Sequence, residues 1–266
     1  MARYRTILLF GAPGAGKGTQ GKILGSIPGF YHLSCGDVFR SLDMATPLGK
    51  VFVEFSSKGM LVPDEHTIQM WHQNMHARTV LSIYKPHIDL LVLDGIPRNV
   101  TQAKLLERHL KVLKIIHLVC PDKERMLERL RRRAIKENRV DDAKEEVIRK
   151  RWSVYEEETF PVLECYDKSL IAEIDAMDSP AAVLEKVLEV LVPVQNEHFL
   201  NPANAVPDGL PSFLCAPANK SSVKSASAVK SVPAMKSVSA MKSVSANGSR
   251  HTTSGKGAVK KATSKR

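Results

Sequence analysis

Gly11-Ala12-Pro13-Gly14-Ala15-Gly16-Lys17-Gly18-Thr19 follows directly on the apolar run Ile7–Phe10. A short buried strand, a glycine-rich turn and a helix that begins near Lys17 are the parts of a phosphate-binding loop. The glycines let the backbone curl so that its N–H groups converge on a phosphate, and the helix N-terminus and Lys17 add positive charge there. The strict pattern has Ser or Thr directly after the lysine, whereas here Gly18 precedes Thr19. The stretch therefore predicts a nucleotide-binding α/β domain without choosing among ATPase, GTPase and small-molecule kinase.

Short apolar runs alternate with amphipathic helical patterns up to about residue 192. The strand-like runs are Ile7–Phe10, Leu90–Leu93, Ile115–Val119 and Leu170–Ile174. The helical patterns are Leu105–Leu113, Arg125–Ala134, Glu145–Tyr166 and Ala181–Leu191. This alternation predicts a doubly wound α/β fold whose parallel sheet is covered by helices on both faces, with ligands at the carboxyl ends of the strands.

Charged residues follow the run Leu90–Leu93, which leads into Asp94-Gly95-Ile96-Pro97-Arg98. A charged pair at the end of a buried strand is costly unless it is used. Asp94 is placed to hold a water-bridged magnesium ion against the phosphates, and Arg98 offers a planar fork for a second phosphate. Gln102 lies four residues further on the same side of the following helix, and its amide, which donates and accepts, suits an adenine edge.

Other arginines are candidates for binding anions. In the segment His32–Arg40, either Ser34 or Asp37 is placed to cap a helix, from which Arg40 would project toward an anion.

A second basic group comprises Arg129 and Arg133, which are four residues apart on one predicted helix face, Arg139 after a short loop, and Arg151 on the next helix. The alternative interpretation is a solvated helix face on which these arginines pair with acidic neighbours. Those neighbours would be Glu128, Glu145 and Glu146.

Together these motifs resemble those of the adenylate kinases, within the nucleoside monophosphate kinase family, over about residues 5–192. The motifs that carry the resemblance are Gly11–Gln20, His32–Arg40, Gly59–Glu65, Asp94–Arg98 with Gln102, and Arg139–Asp142. The resemblance implies a five-stranded parallel sheet with a helical segment for nucleoside monophosphate binding and a short lid between Arg133 and Arg139. The lid has no cysteines of the kind that bind zinc in some longer lids, so we expect Mg²⁺ with ATP and no zinc.

The resemblance also implies a role for each matching residue. Lys17, Arg98, Arg139 and Arg151 would act on the transferred group. ATP would be bound by Gly14, Ala15, Gly16, Lys17, Gly18, Thr19, Arg129 and Arg133. AMP would be bound by Cys35, Arg40, Met60, Leu61, Val62, Gly95, Arg98, Gln102, Arg139 and Arg151. Asp94 would orient the water shell of Mg²⁺, and Asp141 and Asp142 would position the lid arginines.

The activity that the resemblance implies is reversible phosphoryl transfer from ATP to AMP, giving two ADP. A UMP/CMP kinase of the same fold is the nearest alternative, because Asn99 is typical of that group and Cys35 replaces the usual threonine beside the adenine. Gln102 favours AMP. The spacing after Asp142 also leaves open whether Lys150 or Arg151 fills the family's arginine position.

Charge separates the C-terminal region from the rest of the chain. From Asn219 onward there are 11 basic residues and no Asp or Glu, so the net charge of +11 belongs to this tail and residues 1–218 are formally neutral. Six-residue units recur at 228–233, 234–239 and 240–245, and their composition predicts disorder.

We therefore expect a kinase domain over residues 1–193, with the monophosphate-binding segment at about 34–63 and the lid at about 133–142. A linker over 194–218 and a basic tail over 219–266 would follow. The tail's lysines suit non-specific contact with nucleic acid or another polyanion, but the tail has no aromatic residues for stacking, and the alternative is a disordered segment that only adds solubility.

The four cysteines are scattered, which suggests neither a zinc site nor a disulfide framework and fits a reducing compartment. No apolar run approaches the length of a membrane span. We expect a cytoplasmic monomer without membrane contact whose small-molecule partners are ATP and AMP.

Overall fold

The computed structural model describes residues 3–137, 139 and 144–200, with the backbone alone for residues 199 and 200. The described residues belong to the first of the two units into which the chain divides, Met1–Pro217. The predicted tail 219–266, the linker beyond residue 200, and Asp141 and Asp142 of the lid motif lie outside the described residues.

Five parallel strands form one sheet in the order β2-β3-β1-β4-β5. They are β1 (Tyr4–Gly11), β2 (Phe30–Ser34), β3 (Leu90–Asp94), β4 (Leu110–Val119) and β5 (Ile171–Asp175). The α/β class with a doubly wound parallel sheet is confirmed. The neighbours β1 and β3 lead the chain toward opposite sides of the sheet, which opens a crevice at their carboxyl ends.

Eight α-helices occur within the described residues. They are α1 (Lys17–Leu24), α2 (Cys35–Arg40), α3 (Pro47–Ser56), α4 (Asp64–Val80), α5 (Val100–Glu107), α6 (Lys123–Glu137), α7 (Glu145–Val154) and α8 (Pro180–Leu200). A π-helical turn (Tyr155–Thr159) and a 3₁₀ helix (Phe160–Cys165) continue from α7. None of the helices in the described part of the chain is long and apolar enough to cross a membrane.

The sheet is buried on both faces because side chains alternate along each strand. Leu8 and Phe10 of β1 pack into a core with Trp71 of α4, whereas Ile7 and Leu9 pack on the other face, against α1 and α8. The apolar runs predicted in β1, β3 and β4 are therefore buried as expected, whereas in β5 only Ile174 is buried.

Two predicted helices have different bounds in the structure. The prediction of a helix over Leu105–Leu113 is wrong, because α5 ends at Glu107 and Leu110 already pairs with Tyr4 in the sheet. The predicted helix Glu145–Tyr166 is α-helical only to Val154 and continues as the π and 3₁₀ turns.

The strand β2 was not among the predicted strands, and the predicted linker begins too early. The helix α8 continues through Pro193 to Leu200, so residues 194–200 are helical. Gln195 Nε2 donates to the Pro28 carbonyl at 2.8 Å, and Leu191 is fully buried, so packing holds this helix against the sheet despite the proline.

Candidate active site

One cavity of about 830 Å³ opens at the carboxyl ends of β1 and β3. Every residue that the sequence singled out for catalysis, nucleotide binding or magnesium lines this cavity. These residues are Gly14, Ala15, Gly16, Lys17, Gly18, Thr19, Cys35, Arg40, Met60, Leu61, Val62, Asp94, Gly95, Arg98, Gln102, Arg129, Arg133, Arg139 and Arg151. The structure thus brings the set together, while the chemical role of each residue stays a prediction.

The glycine-rich loop turns sharply between β1 and α1. Gly14 and Gly16 have φ angles of +92° and +99°, which side chains other than glycine rarely adopt. A Cβ at Gly14 would also lie 3.0 Å from the Met126 carbonyl oxygen, so the loop packs closely against α6. The N-terminus of α1 therefore faces the cavity directly behind the loop.

Lys17 is the buried cation of this loop. Its Nζ donates to the carbonyl oxygens of Gly11 at 2.6 Å and Ala12 at 3.2 Å. Burial lowers the pKa of Lys17 to about 8; Asp94 opposes this shift, while Arg98, Arg133 and Arg151 reinforce it. Such a concentration of positive charge favours an anion with several negative charges.

Asp94 lies beside the loop at the end of β3. Its backbone pairs with Leu9 in the sheet, and only 7% of the residue is exposed. A Cβ at Gly18 would lie 3.9 Å from Asp94 Oδ2, so glycine at this position leaves room in front of the carboxylate. The carboxylate is thus within the phosphate-binding end of the cavity.

An ion-pair cluster occupies the wall formed by β2 and α2. Ser34 caps α2 by accepting from the Asp37 N–H at 3.2 Å. Asp37 Oδ1 then pairs with Arg40 at 2.6 Å and with Arg139 at 3.4 Å. Burial would raise the pKa of Asp37, but the hydrogen bond from Arg40 and the charges of Arg40 and Arg139 hold it below its usual value. The carboxylate therefore joins two of the predicted AMP-binding arginines.

Arg98 and Gln102 form the floor between the two ends of the cavity. The Arg98 N–H donates to Gln102 Oε1 at 2.8 Å, and its Nε donates to the Gly95 carbonyl at 2.9 Å. Thr159 Oγ1 donates to the Arg98 carbonyl at 2.7 Å, so the backbone of Arg98 is fixed on both sides. Gln102 itself is 1% exposed, which makes its hydrogen-bond partners decisive for its orientation.

Cys35 lies in the same part of the cavity wall and is almost fully buried. Burial raises the pKa of its thiol to about 12, so the group is neutral and offers at most a weak donor.

The arginines of α6 line the opposite end. Arg129 donates to the carbonyls of Ala176 at 2.8 Å and Met177 at 3.4 Å, which fixes its guanidinium against the loop after β5. Glu128 pairs with Arg132, and Glu145 pairs with Arg131 and Arg149. Glu128 and Glu145 thus pair with arginines of α6 and α7 that were not among the predicted nucleotide-binding residues, while Arg139 pairs with Glu137 at 2.6 Å.

Comparison with known proteins agrees with this geometry. Residues 9–171 match the sequence profile of adenylate kinases. The chain is 36% identical to an adenylate kinase of Cyanothece sp. over 201 residues, which cover 73% of this chain and 98% of the relative.

The chain belongs to the adenylate kinase family. An adenylate kinase of Thermobifida fusca is 37% identical over 192 residues, covering 70% of this chain and 97% of the relative. One of Thermus thermophilus is 31% identical over 194 residues, with the same coverage of 70% and 97%.

Arg151 and Lys150, the two candidates for the family's arginine position, line different cavities. Arg151 lines the main cavity, and Lys150 lines a smaller cavity of about 240 Å³. The next residue, Trp152, donates from Nε1 to the Pro13 carbonyl at 3.1 Å, so α7 is attached to the phosphate-binding loop. This placement favours Arg151 for the arginine position that the sequence left open.

The donor set near the loop fits the Mg²⁺ that adenylate kinases use with ATP. Asp94 and Thr19 both supply oxygen, which Mg²⁺ prefers, and both line the phosphate-binding end. Within the described residues there is no group of three or more His, Cys, Asp or Glu side chains placed to hold a metal ion.

Several residues that line the cavity have no functional role predicted from the sequence. The sequence predicts Asp37 only as a helix cap, although its carboxylate pairs with Arg40 and Arg139. Tyr155 and Thr159 come from the π-helical turn, and no local pattern in the sequence indicates that turn. Ala176 lines the cavity through the loop after β5, which the strand prediction alone could have indicated.

Proposed function

We propose that this member of the adenylate kinase family transfers the terminal phosphoryl group of ATP reversibly to AMP, giving two ADP. The observation that carries the proposal is that one cavity is lined by the glycine-rich loop, by the Arg98–Gln102 pair and by the segment Met60–Val62. Lys17 and the arginines between them concentrate positive charge where the phosphates of two nucleotides would meet.

ATP would occupy the end formed by the loop and α6. Backbone N–H groups of the loop, the N-terminus of α1 and Lys17 would bind its phosphates. Arg129, held against Ala176 and Met177, would contact the base side, and Arg133 would approach the phosphates.

AMP would occupy the end formed by α2, the segment Met60–Val62 and the start of α5. Arg40, Arg139 and Arg151 would bind or orient phosphate groups, and Arg98 would lie nearest to the reacting group. Gln102 would contact the adenine edge, with Cys35 packed beside it.

The chemistry requires alignment and charge stabilisation, because the attacking AMP phosphate oxygen is already ionised. Lys17 and Arg98 would stabilise the negative charge that spreads over the transferred group. Mg²⁺, when bound with ATP, supplies further neutralisation of the phosphates, and Asp94 and Thr19 would hold it or its water shell. The monophosphate-binding segment and the lid would enclose the two nucleotides, exclude water and so limit hydrolysis of ATP.

A coupled assay with AMP, CMP, UMP and GMP as acceptors tests the proposal. We expect AMP to have the highest kcat/KM, because the Gln102 amide matches the ring nitrogen and amino group of adenine rather than guanine or uracil, and because the relatives of the chain are adenylate kinases. The Arg98→Ala variant serves as the control for the site and should lose activity by orders of magnitude at unchanged thermal stability. Equal or better turnover with CMP or UMP would overturn the assignment of AMP in favour of the pyrimidine alternative.

The structural position of Asn99 bears on that alternative. Its side chain caps α5 by accepting from the Gln102 N–H at 2.8 Å, and it lines the smaller cavity rather than the main one. A capping role explains asparagine at this position without a pyrimidine substrate.

We also propose that the protein acts as a monomer in the cytoplasm and that residues 219–266 contact nucleic acid or another polyanion without sequence preference. The composition of this tail, with 11 basic and no acidic residues, is the observation that favours it.

A further inference from the structure

Gln102, the residue proposed to contact the adenine, is hydrogen-bonded to Asp64. Gln102 Nε2 donates to Asp64 Oδ1 at 2.8 Å. Asp64 is the first residue of α4 and lines the smaller cavity but not the main one. A nucleotide in the main cavity would therefore meet Gln102, whereas Asp64 would act only through it.

The same carboxylate oxygen has a second amide partner. Asn99 Nδ2 donates to Asp64 Oδ1 at 2.9 Å, while Asn99 Oδ1 accepts from the Gln102 backbone N–H. Through these two hydrogen bonds, Asn99 links Asp64 to the start of α5, the helix that contains Gln102. The position of Asp64 relative to Gln102 is fixed by two connections, one direct and one through Asn99.

These contacts determine which way the Gln102 amide faces. Its oxygen accepts from the Arg98 backbone N–H, and its nitrogen donates to the Asp64 carboxylate. A reversed amide would place N–H against N–H and a carbonyl oxygen against a carboxylate, and both arrangements are unfavourable. In the observed orientation the amide keeps one further N–H and one further lone pair, in a fixed order, for a ligand.

We propose that Asp64 is a positioning residue that fixes the order of donor and acceptor on Gln102 and thereby favours adenine or cytosine over guanine or uracil as the acceptor base. The inference rests on the proposed function. Adenine and cytosine present a ring nitrogen acceptor beside an amino donor, whereas guanine and uracil present a ring N–H donor beside a carbonyl acceptor. An amide free to rotate pairs with either class, but an amide of fixed orientation pairs with only one.

The test measures kcat and KM for AMP, GMP and UMP with the full chain and its variants. The Asp64→Ala variant should raise KM for AMP about 10-fold with little change in kcat, and lower the preference for AMP over GMP and UMP by a similar factor. Asp64→Asn, which keeps an acceptor oxygen, should restore most of the preference. Glu65→Ala is the matched control, because it removes an exposed negative charge from the same first turn of α4 and should leave the preference unchanged.

Three results would overturn the inference. They are an unchanged preference in Asp64→Ala, the same loss in Glu65→Ala, and no recovery in Asp64→Asn. If Asp64→Ala does not fold, as judged by circular dichroism, Asp64→Ser replaces it, since serine is too short to reach the amide. A wild-type chain that does not phosphorylate AMP would contradict the proposed function itself, whereas an active wild type with an insensitive Asp64 contradicts the inference alone.

Discussion

Lys17 lies among like charges in a buried position, and this makes its protonation sensitive to the phosphates that it would bind. Its pKa of about 8 means that the side chain loses its proton within the accessible pH range. Bound phosphates would raise that pKa, since an anion favours the charged form. Binding above pH 8 therefore requires uptake of a proton.

We expect the affinity for a non-hydrolysable ATP analogue to weaken about 10-fold or more between pH 7.5 and pH 9.5, because only protonated Lys17 contributes its charge. Isothermal titration at fixed ionic strength measures this dependence. Lys17→Arg is the control, since arginine stays charged throughout and should remove most of the slope. A wild-type affinity that is constant over this interval would contradict the prediction.

At the residue scale, the sequence predicted which side chains line the cavity better than it predicted the hydrogen bonds between them. Three sequence features predicted side chains that line the cavity: the spacing of the glycines, the charged residues after β3 and the spacing of the arginines. The role of Asp64 has no local signal, because its partners Asn99 and Gln102 lie 35 and 38 residues away. Only the fold brings them within hydrogen-bonding distance.

Among the elements, α8 continues to Leu200, well beyond its predicted end at Leu191. The sequence predicts a linker from residue 194, and a proline inside a helix usually kinks or ends it. Instead, Leu191 before the proline is buried in the core and Val194 after it packs against the same cluster, so contacts on both sides of the proline hold the helix together. Tertiary packing therefore outweighs local propensity here, as it does at Leu110, where pairing with β1 replaces the predicted helix.

The variant Leu191→Ala tests the contribution of α8 to stability. Leu191 is fully buried, so its truncation should lower the free energy of unfolding by about 2–5 kcal/mol. Val192→Ala is the neighbouring control; this side chain is 44% exposed, and its truncation should cost much less. Urea denaturation of both variants gives the comparison, and equal losses would show that Leu191 is not part of the core.

On the scale of the whole molecule, truncation can remove the basic tail without removing a residue that lines the cavity. A chain ending at Leu200 keeps every residue that lines the cavity, whereas a chain ending at Pro193 loses the Gln195–Pro28 hydrogen bond and the buried His198.

We expect the chain ending at Leu200 to retain kinase activity within about twofold and to lose salt-sensitive binding to DNA. The chain ending at Pro193 should melt several degrees lower, since it lacks contacts of α8. Steady-state kinetics, thermal melting and DNA titration at two salt concentrations measure the three effects. Undiminished DNA binding by the shorter chain would contradict a role for the tail.

The attachment of α7 to the phosphate-binding loop has an optical consequence. The chain contains two tryptophans, and they lie near opposite ends of β1. Trp71 packs against Tyr4, where the strand begins, and Trp152 contacts Pro13, just beyond its end. The protein thus carries an intrinsic fluorophore at the loop, and Trp71→Phe would leave its emission as the sole tryptophan signal of events there.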